Sequence, residues 1–340
     1  MTVISVSAPG KAIVCGEYAV LRGAPAISMA VNRRARVTLT PAEDDYCTLQ
    51  TPGHAEGERR FRVRADGCID WLDDPPEDGL ALVEHAYRSC TIQGLPGSLH
   101  RSIVRIDTRE FHDRRSGDKL GLGSSAAVSV ALVAALAGGE SSGVDCWPLP
   151  SDIHTAFQGG HGSGVDVATS CRGGVIAYRK NDGDQSARTE WPEGLFYRLL
   201  FSGQAADTLS KIRKLPDSGS KSWSRLISNA EEASAAWIAG NAGNILDAIR
   251  SYIGALFQFS DQHNLGVFAA GHHAMVDLAA ADGTVYKPCG AGGGDIGIVL
   301  ASRQDDVDAF CEHALELGFA PLNIELDEQG LREDEAARDE

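Results

Sequence analysis

The chain has 340 residues, 43% of them hydrophobic and 23% charged, the profile of a folded globular protein with room for two domains or one large one. Its formal charge of −16, partly gathered in Glu333, Asp334, Glu335, Asp339 and Glu340, argues against nucleic acid or an anionic membrane surface as the main partner. An anionic small molecule stays open, because a pocket can be locally basic.

Met1–Ser7 has neither the basic start nor the apolar run of a signal peptide, and Ala126–Ala137 is far short of the roughly 20 residues that cross a bilayer. Eight cysteines are scattered without a C-x-x-C pair, which reads as reduced thiols in a cytoplasmic protein.

In chain order, Val3–Ser7 alternates as a strand and should break at Ala8-Pro9-Gly10-Lys11, with Ala12–Cys15 extended beyond it. Gly16–Gly23 leads to a second glycine turn. Ala26–Val31 and Ala35–Thr40 read as two strands joined across Asn32-Arg33-Arg34, which would put these arginines on a hairpin surface. Phe61–Arg64 and Ser102–Asp107 are further strands, with a helix near Leu80–Arg88 between them. A charged loop, Arg109–Asp118, delivers the chain to Lys119-Leu120-Gly121-Leu122-Gly123-Ser124-Ser125-Ala126-Ala127 and an apolar helix ending by Gly138-Gly139. A short helix, Ser151–Phe157, precedes the glycine-rich stretch Gln158–Ala168 and a strand at Gly174–Tyr178.

The polar stretch Asn181–Pro192 marks the expected domain boundary, with one lobe over 1–185 and another over 190–330. The second lobe reads as a strand Phe196–Phe201, then helices at Ala205–Lys214, Trp223–Ala239, Asn244–Phe259 and Val267–Ala280. It continues with a glycine loop Lys287–Asp295, a strand Ile296–Leu300, a helix Val307–Leu317 and a strand near Pro321–Leu326. Residues 331–340 are expected to form a disordered acidic tail. The class is α+β.

Gly121 and Gly123 allow a tight turn and close approach to a ligand, and the serines then open a helix whose free N–H groups and dipole favour phosphate. The order differs from G-x-x-x-x-G-K-[ST], since Lys119 precedes the glycines. Alone, such a loop fits a glycine turn ahead of a buried helix equally well.

Three glycine loops together narrow the reading. Ser7-Ala8-Pro9-Gly10-Lys11 continued by Gly16-Glu17-Tyr18-Ala19-Val20, then Leu122-Gly123-Ser124-Ser125-Ala126-Ala127, then Lys287 through Asp295, resemble the three motifs of the GHMP family of small-molecule kinases. They stand in family order and span about residues 5–302. The resemblance implies a two-lobed fold, with an N-terminal S5-domain-2-like lobe and a C-terminal ferredoxin-like lobe.

Three details resemble the branch whose acceptor already carries a phosphate. They are Tyr18 after Gly16-Glu17, Lys119 just before the phosphate loop, and the short spacing of Gln158-Gly159 to Gly162-Ser163-Gly164-Val165-Asp166-Val167-Ala168. A glutamate that helps hold magnesium in relatives with a longer spacer is missing, with Gly160 near its place. Gly203-Gln204-Ala205-Ala206-Asp207-Thr208 looks more loosely like the family's substrate-side turn. The implied reaction is ATP-dependent phosphorylation of 5-phosphomevalonate to 5-diphosphomevalonate. The alternatives are a kinase of the same family acting on mevalonate or another small alcohol, and a non-catalytic nucleotide-binding regulator, which should have lost Lys11 or Asp166.

By that resemblance ATP would be held by Lys119, Gly121, Leu122, Gly123, Ser124, Ser125 and Ala126, with Mg2+ on Ser125. Lys11 and Asp166 would be catalytic. The phosphorylated acceptor would meet Lys11, Tyr18, Lys119, Ser163, Gly164, Asp166, Gly290, Ala291, Gly292 and Gly293. An Asp can take the proton of an alcohol, but a phosphate monoester has a second pKa near 6 and is already an ionised nucleophile. Asp166 would then orient Lys11 more than abstract a proton. One arginine of Arg33, Arg34 and Arg36 is a further candidate for the acceptor phosphate, against a solvated surface role. Lys287 either touches substrate or serves the third loop structurally, Asp295 fits a role in satisfying that loop's backbone, and His154 and His161 fit packing or hydrogen bonding better than catalysis. The expected assembly is a monomer or homodimer.

Overall fold

The computed structural model describes residues 2–74, 80–99, 101–139, 148–160, 162–180, 185–206, 211, 214, 215 and 221–334. Its first strand, β1 (Ile4–Cys15), corrects the expected break at Ala8–Lys11: the strand is continuous over 12 residues. The interruption survives as a register shift between Pro9 and Gly10 against β2 (Pro25–Pro41). Proline has no N–H for the ladder, and a bulge is where a strand tolerates one.

β2 corrects the expected hairpin. Asn32-Arg33-Arg34 does not turn the chain, because segment 323–330 lies alongside and meets the polar groups of the strand. The Asn32 N–H donates to the Glu325 carbonyl at 3.0 Å, and the Arg33 guanidinium to the Asn323 carbonyl at 2.7 Å. Arg34, only 8% exposed, donates to the carbonyls of Ser7 and Gly330 at 2.8 and 2.6 Å and pairs with Asp327 at 2.5 Å. A surface arginine would keep its hydration; this one has exchanged water for a full set of protein acceptors.

β2 is the spine of a nine-stranded sheet. Its second half pairs with β6 (Ser102–Asp107), its first half with β7 (Val175–Arg179), and β1 flanks it along its length. β3 (Cys47–Thr51), β4 (Ala55–Val63), β5 (Ile69–Trp71) and β8 (Gln185–Thr189) extend the sheet outward. Most of these outer strands went unread because they are polar, Phe61 being the one fully buried side chain of β4. Helices α1 (Ala81–Ile92), α2 (Ser124–Leu136), α3 (Pro148–Phe157) and α4 (Val165–Arg172) pack together, α2 and α4 directly on β1 and β2. α2 is buried on nearly every side, which is why its sequence shows no polar face.

The second sheet holds β9 (Phe196–Phe201), β10 (Val285–Pro288), β11 (Ile296–Ala301) and β12 (Ala320–Leu322) in the order β10-β11-β9-β12, all antiparallel. That order is the ferredoxin-like β-α-β-β-α-β arrangement. Helices α5 (Ser222–Ala239), α6 (Ala242–Gln262) and α7 (His272–Asp282) fall between β9 and β10, and α8 (Gln304–Glu316) between β11 and β12. α7 starts five residues later than its periodicity suggests. Gly271, at φ 83°, caps it in the left-handed conformation and Ala270 has φ 53°, so neither continues a helix. The expected helix at 205–214 falls largely outside the described residues, as does His161.

The acidic tail needs a correction at its start. β13 (Arg332–Glu333) pairs with β1, and Asp334 accepts from Ser7 Oγ at 3.0 Å while facing Arg36 at 3.2 Å. Arg36 and Arg332 both pair with Asp334. One cluster of buried side chains runs from β1, β2 and α2 through α5 and α6 to β9 and β11, so both lobes share a core.

Candidate active site

The phosphate loop is shaped by backbone that only glycine adopts cheaply. Gly121 and Gly123 have φ of 73° and 77°, and Gly123 is the N-cap of α2. The first N–H groups of α2 therefore have no partner within the helix and open toward the site. Gly10 lets β1 lie against this loop: a Cβ there would stand 2.6 Å from the Leu122 carbonyl and 2.7 Å from the Phe111 ring. In that close approach the Lys11 N–H donates to the Leu122 carbonyl at 2.8 Å. The Lys11 side chain then crosses the mouth of α2, its Cε 2.9 Å from where a Gly123 Cβ would be.

Lys11 Nζ ends 3.6 Å from Asp166 Oδ2, with the lysine side chain 10% exposed and the carboxylate 26%. Asp166 sits in the first turn of α4, whose N-cap is Gly164 at φ 85°, where the helix dipole favours an anion. Ser163 shapes that turn: its Oγ accepts from the Val165 N–H at 3.4 Å, and its carbonyl accepts from the Tyr178 hydroxyl at 2.6 Å. The third loop comes to the same lysine, since a Cβ on Gly290 would stand 3.7 Å from Lys11 Nζ. Tyr18, at φ 60°, is buried and donates its hydroxyl to the Ala291 carbonyl at 2.7 Å. Burial beside Glu17 pushes the Tyr18 phenol up, so it stays a proton donor.

Asp295 joins the loops. At φ 55°, it leaves no room for a Cβ on Gly121, and its carboxylate accepts from the Ala206 N–H at 3.0 Å. Burial raises its pKa, opposed by that N–H and by Lys11, Lys119 and Lys211. The carboxylate thus ties the Gly203–Ala206 turn to the phosphate loop, more than the backbone role expected of it. Lys119 is exposed and bridges to His112 through its backbone.

Ser124 is buried, whereas Ser125 is half-buried and its Oγ lies 3.1 Å from His154 Nε2. Burial holds the His154 pKa down, with Lys11 acting the same way and Asp166 against it. Among the described residues no three His, Cys, Asp or Glu side chains could hold a metal together. A cation beside Ser125 could take that hydroxyl together with phosphates and water. That donor set fits Mg2+, a hard ion that keeps several waters and seldom uses an all-protein cage.

Two expected candidates lie elsewhere. Lys287 is fully buried and paired with Glu17, which also accepts from the Tyr252 hydroxyl at 3.2 Å. Burial would lower its pKa, but Glu17 outweighs this and holds it raised, so Lys287 stays a structural cation. Arg34 is consumed by the 327–330 segment. Sequence reasoning missed Lys211, buried on the carbonyls of Gly266, Ala291 and Gly292, where it anchors the third loop. Nothing in a lysine on an amphipathic stretch signals that role.

A glycine-lined anion loop at a helix N-terminus, a lysine–carboxylate pair across it and a ferredoxin-like second lobe define a small-molecule kinase. The chain belongs to the GHMP family of such kinases. It is 32% identical to a phosphomevalonate kinase of Streptomyces sp. (strain CL190), over 93% of this chain and 95% of the relative. Two solved structures share the fold. A Lin0012 protein from Listeria innocua has a TM-score of 0.86 at 23% identity, covering 98% of this chain and all of that one. Streptococcus pneumoniae phosphomevalonate kinase in complex with phosphomevalonate and AMPPNP has a TM-score of 0.75 at 18% identity, covering 96% of this chain and all of that one. No protein-family model matches the chain. Among the described residues no helix is long and apolar enough to cross a membrane.

Proposed function

We propose that this protein transfers the γ-phosphoryl group of ATP to 5-phosphomevalonate, giving 5-diphosphomevalonate and ADP. The observation that carries the proposal is the Lys11–Asp166 pair at 3.6 Å, with the Lys11 backbone bonded to the phosphate loop. The relation to the Streptomyces enzyme over nearly the whole chain supports the acceptor.

Phosphoryl transfer needs positioning and charge neutralisation more than covalent chemistry. The backbone from Gly121 to Ala126, with Ser124, cradles the triphosphate at the start of α2. Ser125 would offer one oxygen to a Mg2+ ion on the nucleotide, which would supply neutralisation of phosphate charge. Lys11 bridges the transferred group and the acceptor. Asp166 holds that lysine in place, since an acceptor phosphate with a second pKa near 6 needs no base at neutral pH. Tyr18, Ser163, Gly164 and Gly290–Gly293 form the acceptor wall, and Lys119 at the open edge offsets the repulsion between two phosphates. The reaction belongs in the cytoplasm, where ATP and reduced thiols coexist.

A coupled assay of ADP release with phosphomevalonate and with mevalonate as acceptors tests the reading. Turnover with phosphomevalonate and little with mevalonate is expected. Turnover with mevalonate alone would overturn the acceptor, and nucleotide binding without ADP release from any acceptor would favour a regulator.

A further inference from the structure

We propose that His154 is a positioning residue for the phosphate loop: from α3 it fixes the Ser125 hydroxyl so that its oxygen faces the divalent cation accompanying the nucleotide. The proposal rests on the kinase reading and adds to it a residue that fills the role of neither ligand nor base.

A serine hydroxyl at the start of a helix is a free rotor unless something holds it, and its usual intrahelical partner is the carbonyl four residues back. Ser129 takes that option, donating to the Ser125 carbonyl at 3.0 Å. Ser125 does not, because four residues before it lies Gly121 in the left-handed loop outside α2. Its partner is instead Nε2 of His154 at 3.1 Å. The imidazole cannot swing away. His154 is 3% exposed, on a helix packed against α2, with the Phe157 ring 6.3 Å from its own.

The chemistry of the pair suits a metal-facing hydroxyl. With the ring proton on Nδ1, Nε2 accepts from the Ser125 hydroxyl, and both lone pairs of Oγ remain for a cation. A carboxylate in place of the imidazole would compete for the metal. Through Ser125 the ring reaches the start of α2, the helix end that the Lys11 side chain crosses.

The test is calorimetric titration with ATP, with and without Mg2+, on wild type, S125A, H154F, H154Q and the double variant S125A/H154F. Steady-state KM values for Mg·ATP and for the acceptor accompany it. H154F should weaken Mg·ATP binding by about tenfold or more, the usual effect of removing a group that orients a metal ligand. Metal-free ATP affinity and the acceptor KM should stay unchanged. The double variant should be no worse than S125A, and H154Q, which keeps a hydrogen-bonding end, should recover part of the loss. Equal weakening with and without Mg2+, or a loss that adds to that of S125A, would overturn the proposal. Should H154F fail to fold, the comparison of S125A with S125A/H154Q carries the same test of additivity. Wild type that binds no nucleotide at all would sink the kinase reading, and this proposal with it. Wild type that binds while H154F matches it would sink this proposal alone.

Discussion

Lys11 carries more of the site than any other residue. Its backbone ties the first motif to the phosphate loop, and its Nζ reaches both Asp166 and the third loop. Lys11→Ala and Asp166→Ala should each lower kcat by about 10² or more if both act in the transition state, measured by ADP release at saturating substrates. Lys119→Ala should chiefly raise the acceptor KM, because that lysine is exposed at the edge of the site. An unchanged KM would remove Lys119 from acceptor binding.

His272 shows residue-scale physics of a different kind. Nε2 faces the Gly294 carbonyl at 3.0 Å, which can only accept, so that nitrogen carries the proton and Nδ1 accepts from the Tyr286 hydroxyl at 2.8 Å. Burial lowers its pKa from 6.5 to about 4, with Lys211 and Lys287 adding to the effect and the Gly294 carbonyl opposing it. The unfolded chain therefore binds a proton that the folded one refuses between those values. The stability held by the neutral ring is fully present above pH 6.5 and falls away as pH drops toward 4. The loss is on the order of 3 kcal/mol across that window. Chemical denaturation at several pH values should show this slope, and His272→Gln should flatten it.

At the scale of elements, segment 323–334 decides more than its sequence suggests. It runs beside β2, accepts the Arg34 guanidinium, and ends as β13 on β1, the strand that carries Lys11. The Arg34 and Asp327 side chains are 7% and 10% exposed, so Arg34→Met strands a carboxylate and several carbonyls in low dielectric. The expected cost is about 3–5 kcal/mol, read from the shift in urea midpoint. Arg36→Ala is the control. Its side chain is 44% exposed although it also pairs with an Asp, so removal should cost under about 1 kcal/mol.

Periodicity located the elements whose two faces differ, including β6, α5 and α6, while the apolar runs of β9 and β11 marked buried strands. It failed on β2, where a polar triplet looked like a turn because its partners lie about 290 residues away. It also missed β5 and β8, which have no buried face to read, and found only the end of β4, around Phe61.

At the scale of the whole molecule, the lobes are joined by a buried ion pair as well as by a shared core. Glu17 follows the first motif, and Lys287 stands on β10 of the second sheet. Lys287→Met leaves the buried Glu17 carboxylate without its cation and should destabilise by about 3–5 kcal/mol. The double variant Glu17→Gln/Lys287→Met should recover much of that, because neither side is left charged. Equilibrium unfolding of both variants measures the difference, and a double variant worse than the single would refute the account.

The sequence by itself determined the α+β class and the family resemblance, and it singled out Lys11 and Asp166, which the fold brings together. Glycines needed at φ near 70°, and a lysine and a carboxylate set in glycine-rich turns, are written locally and leave a local signature. Tertiary structure alone decided which charged residues face a ligand. Arg34 and Lys287 were consumed as buried partners, while Lys211, Asp295 and His154 were drawn onto the loops. A charge reveals its role only through the atoms that replace its water, and those atoms come from distant parts of the chain. The phosphate loop therefore reads plainly in the sequence, while the groups that hold it in place do not.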